Sequence, residues 1–369
     1  MIDIIHLTEN VSCSTLPLCF TLSIRENLMR FQKLFVIISV FMLTTTVSSA
    51  AVPAKNHSGT ITMSVDLSGQ NMKDDAELWI PYPVSDQEQN ITDVKISGDY
   101  STSAVYTDST YSTPMLYARW GKGSQSRKLS FSFKADRKEI IRRDFPLKET
   151  AWDPADYARY LAPTKFAPID GEVWLQAMKI IEGKKTVLEK ARAIYDWTCE
   201  NTFRDPKTRG CGTGDVCALL KNPGGKCADI HSVFVALARA AGVPAREVFG
   251  IRMGKKDRED VSTWQHCWAE FFLPGYGWVP VDAADVRKAM LTENLKLSDA
   301  RTAELRAYFW GGIDPYRVKL SVGRDLTLNP PQAGGPVNYL MYPFAQVGGN
   351  TVDWLDPATF KYSIIYTAK

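Results

Sequence analysis

Two glycines, a lysine and a cysteine, Gly224-Gly225-Lys226-Cys227, stand directly before a run with helical spacing. The glycines free the backbone for a sharp turn. Ile230, Val233, Phe234, Leu237, Ala238 and Ala241 then recur at i, i+3, i+4, i+7, i+8 and i+11. That spacing is one face of a helix from about Cys227 to Ala241, stopped by Gly242-Val243-Pro244. A thiol at a helix N-terminus feels the positive end of the macrodipole and unpaired N–H groups, which favour thiolate. The same amides suit a developing oxyanion. Cys227 falls three residues before Ile230 and seven before Phe234, so it points toward the packed face. The position equally suits a buried structural cysteine or one half of a disulfide.

A nucleophile of this kind needs a base, and few histidines are available. Downstream, His266 to Phe272 and Trp278 to Asp282 read as strands flanking Pro274-Gly275, a strong turn signal. If Phe272 pairs with Tyr276, Trp268 faces Pro280 and His266 faces Asp282. Directly opposed side chains share a face with Cβ atoms roughly 5 Å apart, close enough for a carboxylate to orient the imidazole. A slip of one residue would separate them onto opposite faces. Pro280 must then sit where no ladder N–H is needed. The plain alternative is a surface His–Asp pair. Asp285 is the other nearby carboxylate, but in this register it cannot oppose His266. His231 lies four residues after Cys227 on the same helix face. It has no obvious carboxylate to orient it and reads as a supporting or packing residue. Asp229, in the first helical turn, compensates the helix dipole. His57 lies in a polar N-terminal stretch and reads as exposed.

The elements that must position these groups follow in a definite order. Residues 58–135 alternate polar and apolar with frequent turns, as in Thr60-Ile61-Thr62-Met63-Ser64-Val65 and Leu129-Ser130-Phe131-Ser132-Phe133, which suggests an all-β sandwich. Helical spacing begins over Trp174 to Ile181. A second helix starts at Thr186-Val187-Leu188-Glu189, a capping box. Strands over Arg246 to Met253, His266 to Phe272 and Trp278 to Asp282 follow the third helix. Alternation returns in Tyr316-Arg317-Val318-Lys319-Leu320-Ser321-Val322 and ends over Phe360 to Thr367. No internal repeat is evident.

Composition bounds the rest. The chain has 369 residues, 45% hydrophobic and 23% charged, values of a folded globular protein rather than a disordered one. Forty-four Lys+Arg against 41 Asp+Glu leave a net charge of +3 without a basic block, which argues against a nucleic-acid partner. At the N-terminus, Leu34 to Val47 form an apolar stretch behind Arg30 and Lys33 and before Ser48-Ser49-Ala50-Ala51. This pattern reads as a signal peptide cut after Ala50, with translation starting at Met29. An uncleaved anchor is the rival reading, since Leu34 to Val52 is just long enough to span a bilayer; a membrane is a partner only in that case. Export, to periplasm or extracellular space, makes the mature cysteines informative. Cys199, Cys211, Cys217, Cys227 and Cys267 are odd in number, so at least one thiol stays unpaired within the monomer. The remaining four allow up to two disulfides, and Cys211 with Cys217 is a conceivable redox pair. The gaps between Cys211, Cys217 and Cys227 lack the tight pairs of a structural zinc site, and no metal or other cofactor is expected.

Gly225-Lys226-Cys227-Ala228-Asp229, followed by Leu237-Ala238-Arg239-Ala240-Ala241-Gly242-Val243-Pro244-Ala245-Arg246, resembles the nucleophile segment of the transglutaminase-like superfamily. Gln265-His266-Cys267-Trp268-Ala269-Glu270 and Gly277-Trp278-Val279-Pro280-Val281-Asp282 resemble its histidine and aspartate segments, in the family's order. Gly210-Cys211-Gly212-Thr213-Gly214-Asp215-Val216 is similar to a segment of a bacterial exported branch. The resemblance covers about residues 170–290. It implies an α+β, papain-like core, helices then antiparallel sheet, with a Cys–His–Asp triad on Cys227, His266 and Asp282. The family's second oxyanion donor is not placed by these segments. No EF-hand-like loop is present, so the calcium dependence of animal members is not carried over. The implied organisation is a leader over 1–50, a β-sandwich-like domain over 51–145, the catalytic domain over 146–300 and a β-rich region over 301–369. The implied activity is thiol acyl transfer on peptide or side-chain amides of a protein or peptide substrate in the cell envelope. Hydrolysis is favoured over transamidation, because bulk water outcompetes amines unless the site excludes it. The alternative is a non-catalytic exported module whose β regions bind an envelope partner.

Overall fold

Of the first six strands, the outer two in sequence show period-two burial along most of their length. In the computed structural model, which describes residues 55–369, the six are β1 (Asn56–Asp66), β2 (Ala76–Pro81), β3 (Gln89–Gly98), β4 (Thr102–Thr107), β5 (Pro114–Trp120) and β6 (Lys128–Lys138). The leader, its cut after Ala50 and the start at Met29 lie outside the described residues. Along β1, Ile61, Met63 and Val65 are buried while Thr60 and Ser64 are exposed. Along β6, Leu129, Phe131, Phe133 and Ala135 turn inward in the same way, as the pleat requires.

Four helices follow: α1 (Gly171–Ile180), α2 (Val187–Asn201), α3 (Val216–Lys221) and α4 (Cys227–Ala240). The capping box of α2 is present, with Glu189 N–H donating to Thr186 Oγ1 (3.1 Å) and Thr186 N–H to Glu189 Oε2 (3.0 Å). Helix α4 departs from the one-faced pattern its spacing suggests: every residue from Cys227 to Arg239 is buried. A helix enclosed on all sides is a core element, and α1, α2, α3 and a β-sheet all pack on it. Gly242, at φ +76°, ends it. Val243 N–H bonds Ala238 O (2.8 Å) and Gly242 N–H bonds Arg239 O (3.0 Å), a Schellman closure that favours glycine at this left-handed position.

The remaining elements are β7 (Ala245–Arg252), β8 (Arg258–Asp260), β9 (Gln265–Leu273), β10 (Gly277–Val281), α5 (Ala283–Thr292), α6 (Ala300–Tyr308), β11 (Arg317–Val322), β12 (Phe344–Val347), β13 (Asn350–Val352) and β14 (Lys361–Ala368). Helices α3, α5 and α6 go unannounced by the sequence pattern; α6 buries only Thr302. Strands pair antiparallel into three main sheets, in the orders β8-β14-β1-β6-β3, β13-β12-β2-β5-β4 and β10-β9-β7-β11. The first two share one apolar core, including Met63, Leu78, Trp120, Phe131 and Ile364. The third lays Phe249, Cys267, Ala269 and Phe271 into the helical core around α4.

The order of segments along the chain is therefore not their order in space. Residues 301–369, expected as one β-rich region, divide between two places. Strand β11 joins β7 behind α4, whereas β12, β13 and β14 complete the sandwich begun within residues 51–145. The pairing Gly59↔Ala368 joins the two ends of the described chain, a contact no local pattern announces.

Candidate active site

The thiol of Cys227 is placed by a backbone that only glycine permits. Gly210, Gly212 and Gly214 hold φ of +56°, +97° and +79°, wrapping the loop before α3 around the start of α4. A Cβ on Gly212 would stand 1.9 Å from Asp229 Oδ2. The buried Asp229 carboxylate accepts N–H groups from Gly214 (2.8 Å) and Lys226 (3.0 Å), so it ties the loop to the helix start as well as compensating the dipole. One consequence limits the oxyanion donors. Ala228 N–H is already given to Cys211 O (2.9 Å), which leaves the Cys227 N–H, without an acceptor among the described residues, as the amide at the helix start.

His266 and Asp282 meet, but in a shifted register. The ladder pairs Phe272 with Trp278, Glu270 with Pro280 and Ala269 with Val281, two residues from the expected pairing. A shift of two leaves every side chain on its face, so His266 and Asp282 become diagonal neighbours instead of opposed ones. His266 Nε2 lies 2.7 Å from Asp282 Oδ2. Pro280 is tolerated because β10 is an edge strand.

Asp282 ends β10 and caps α5, its Oδ1 accepting Asp285 N–H at 2.7 Å. That turn brings Asp285 back over the site, with Oδ1 3.8 Å from His266 Nε2. Asp285 thus comes near His266 after all, because the chain enters a helix where an extended strand would have carried it away.

The carboxylates are held ionised by arginines that the sequence pattern does not single out. Arg317, fully buried, donates to Asp282, to Asp285 (2.6 Å) and to Asp314 (2.8 Å), and Arg252 donates to Asp285 at 2.6 Å. Burial alone would raise Asp282, but His266, Arg317 and His231 outweigh it and hold its pKa well below the usual carboxylate range. Against the same burial, Arg252 and Arg317 hold Asp285 at about 2. His231 has the orienting carboxylate that the sequence left unseen: its Nε2 is 3.2 Å from Asp282 Oδ1. Its Nδ1 faces Cys267 Sγ at 3.6 Å, not Cys227, so it acts through Asp282 rather than on the thiol. His57 is half-buried and bonds Gly254 O (2.8 Å), far from this constellation in role.

Three thiols gather here. Cys211 and Cys267 flank Cys227, and with His266 beside it they hold its pKa well below the ordinary thiol value despite burial. Hydrogen bonding to Cys227 and burial push Cys211 well up; burial first, then Cys227, does the same to Cys267. For His266 burial is the largest influence and pushes its pKa down, as does Arg252; Asp282 and Asp285 prevail and raise it. Since Nε2 is engaged by Asp282, Nδ1 is the ring nitrogen left for the thiol. Cys199, Cys211, Cys217, Cys227 and Cys267 are all free thiols; Cys211 Sγ accepts from Tyr342 Oη (3.2 Å) and donates to Gln265 O (3.6 Å), while Cys217 is exposed on α3.

Cys227 lines the floor of a cleft of about 580 Å³ and is itself 2% exposed. His266 lines the same cleft, beside Trp264, Tyr342 and Trp354. Donor atoms of His266, Asp282 and Asp285 lie within 4.8 Å of one another, a spacing a cation could use. Arg252 and Arg317 already compensate those carboxylates, so a metal ion would have to displace guanidinium groups. Among the described residues, no helix is long and apolar enough to cross a membrane.

Residues 176–283, which contain Cys227, His266 and Asp282, match the family model of the transglutaminase-like superfamily. An uncharacterized protein of Haemophilus influenzae is 36% identical over 314 residues, covering 78% of this chain and 85% of its own. The crystal structure of a candidate cysteine protease from Cytophaga hutchinsonii aligns with a TM-score of 0.51 at 16% identity, over 85% of this chain and 98% of that one. The periplasmic domain of TgpA from Pseudomonas aeruginosa aligns with a TM-score of 0.34 at 15% identity, over 63% of this chain and 89% of that one.

Proposed function

The chain belongs to the transglutaminase-like superfamily, and from that membership we propose that it is an exported, thiol-dependent acyl-transfer enzyme acting on peptide or side-chain amides. One observation carries the proposal: an imidazole fixed by Asp282 at 2.7 Å lines the same cleft as a thiol whose pKa is lowered, in part by that imidazole. In the first step the Cys227 thiolate attacks the amide carbonyl carbon. A C–S bond forms, and the carbonyl oxygen takes the charge beside the Cys227 N–H. His266, as imidazolium, gives its proton to the amide nitrogen; the C–N bond breaks, and an amine leaves a thioester on Cys227. In the second step His266 takes a proton from water as it attacks the thioester, releasing a carboxylic acid and regenerating the thiolate–imidazolium pair. Asp282 holds the ring and stabilises its positive charge. Arg317 keeps Asp282 ionised.

Hydrolysis is the favoured second step. Arg209, Thr263 and Lys288 on the cleft's margin are exposed to solvent, so water reaches the thioester, and an amine must outcompete it. Incubation with a glutamine-bearing protein and a labelled amine should yield acid products and fragments; crosslinks or amine incorporation as the main product would overturn the preference. Export rests on the apolar stretch Leu34 to Val47 and the small residues after it. A recovered mature protein beginning at Ala51 is the expected result, and a membrane-retained chain of full mass would contradict it. The substrate then belongs to the cell envelope.

A further inference from the structure

Charge around the cleft is one-sided in a way that the acyl-transfer steps do not require. Arg204, Arg209, Lys226, Arg252 and Lys288 all line it. Among the described residues, no aspartate or glutamate does. Two of the five cations are answered from outside the cleft, Arg209 by Asp353 (2.6 Å) and Arg252 by Asp285 (2.6 Å). Arg204, Lys226 and Lys288 have no carboxylate partner among the described residues. Within the lining the thiolate and imidazolium of Cys227 and His266 cancel each other, so three side-chain cations face the cleft with no carboxylate among its lining residues to answer them. Such a surplus inside a walled cleft focuses the field on whatever enters. The whole chain carries only +3, so the surplus is a local arrangement and not a property of the surface at large. Trp354 and Tyr342 give the same cleft flat apolar surface, suited to the hydrocarbon part of a side chain whose charged end reaches a cation.

Resting on the acyl-transfer reading and deepening it, we infer that the acyl donor is an acidic peptide, with a carboxylate within a residue or two of the amide that Cys227 attacks. Lys226 precedes the nucleophile directly and Lys288 rises from α5, so the carboxylate is met from two elements. An amine-bearing or basic peptide is repelled by the same groups, which makes the arrangement a filter as well as an attraction.

Alkylation of Cys227 in the full chain tests the field without any knowledge of the substrate. Rates with anionic iodoacetate and neutral iodoacetamide are compared with the same ratio for a free cysteine peptide. At low salt the protein's ratio should exceed the free peptide's by about tenfold, and it should fall back toward it at 1 M salt, where the screening length is about 3 Å. Arg204→Gln and Lys288→Gln should each lower the ratio by roughly threefold. In turnover, peptides bearing glutamate beside the scissile amide should exceed their glutamine twins by about tenfold in kcat/KM, with lysine twins slower still. A ratio equal to the free peptide's, insensitive to salt, or a preference for glutamine or lysine peptides overturns the inference while leaving the thiol chemistry standing. A Cys227 that neither reagent labels overturns the acyl-transfer reading itself, and this inference with it.

Discussion

The interior between the two five-stranded sheets and the interior around α4 are both densely buried, yet they are filled with opposite chemistry. Between the sheets the fill is Met63, Leu78, Trp120, Phe131 and their apolar neighbours. Around α4, Asp229, His231, Glu247, His266, Asp282, Arg317 and Arg324 are all buried. Burying an ionised group costs several kcal/mol unless a partner of opposite charge is positioned for it. Arg324 meets Glu247 at 2.8 Å, Arg317 is shared by three aspartates, and Asp229 is held by the backbone N–H groups of Gly214 and Lys226. The comparison teaches a division of labour. The sandwich contributes stability through area removed from water, and its details matter by volume. The helix-and-sheet half holds polar groups in fixed positions, where the loss of one partner leaves another charge stranded.

The sharpest way to break this division is Cys227→Ser. Turnover should fall by at least ~10⁴-fold, while urea unfolding shifts by less than about 1 kcal/mol, since the side chains are close in volume. Residual activity above that level would place the chemistry elsewhere. Next in size, Arg317→Met should destabilise the protein by about 3–5 kcal/mol, because three carboxylates lose their common cation. An unchanged urea midpoint would show that the polar half tolerates a stranded charge. Phe131→Ala belongs to the other half and should cost about 3 kcal/mol by leaving a cavity. Iodoacetamide labelling of Cys227 in the folded protein should nevertheless keep its rate; a slowed rate would mean that the two interiors are coupled.

The smallest effect is in the pH profile. The thiolate–imidazolium pair exists between the lowered pKa of Cys227 and the raised pKa of His266. Activity therefore rises with pH through the first and is lost as pH rises through the second. Asp285→Asn removes a carboxylate 3.8 Å from His266 Nε2 and frees Arg252, and both changes disfavour the imidazolium. The alkaline limb should move down by about half a unit to one unit, and an upward move would contradict the assignment.

Local pattern carried much of this site because its three principal side chains sit at element boundaries with strong signals. Cys227 follows two glycines and opens a periodic helix, and His266 and Asp282 lie at like parity about Pro274-Gly275. A two-residue error in register was harmless there, since parity alone sets the face. Asp285 was hidden by something else, since its approach depends on α5 starting at once after Asp282. Arg317 was hidden for a different reason. It occupies the polar side of an alternating strand, and alternation does not tell a polar face in water from one turned onto buried carboxylates. The missing partner of His231 was of the same kind, lying 51 residues away at Asp282.

By itself, then, the order of amino acids determined the turn chemistry, the helix that carries the thiol and the faces of the paired strands, because these follow from dihedral preference and periodicity over a few residues. Only the tertiary structure decided which charges answer one another: that Arg317 joins Asp282 to Asp285 and Asp314, that Cys211 and Cys267 close on Cys227, and that three cations of the cleft go unanswered. Coulomb attraction and desolvation act through space between groups distant in the chain, and their outcome is set by the packing that brings those groups together.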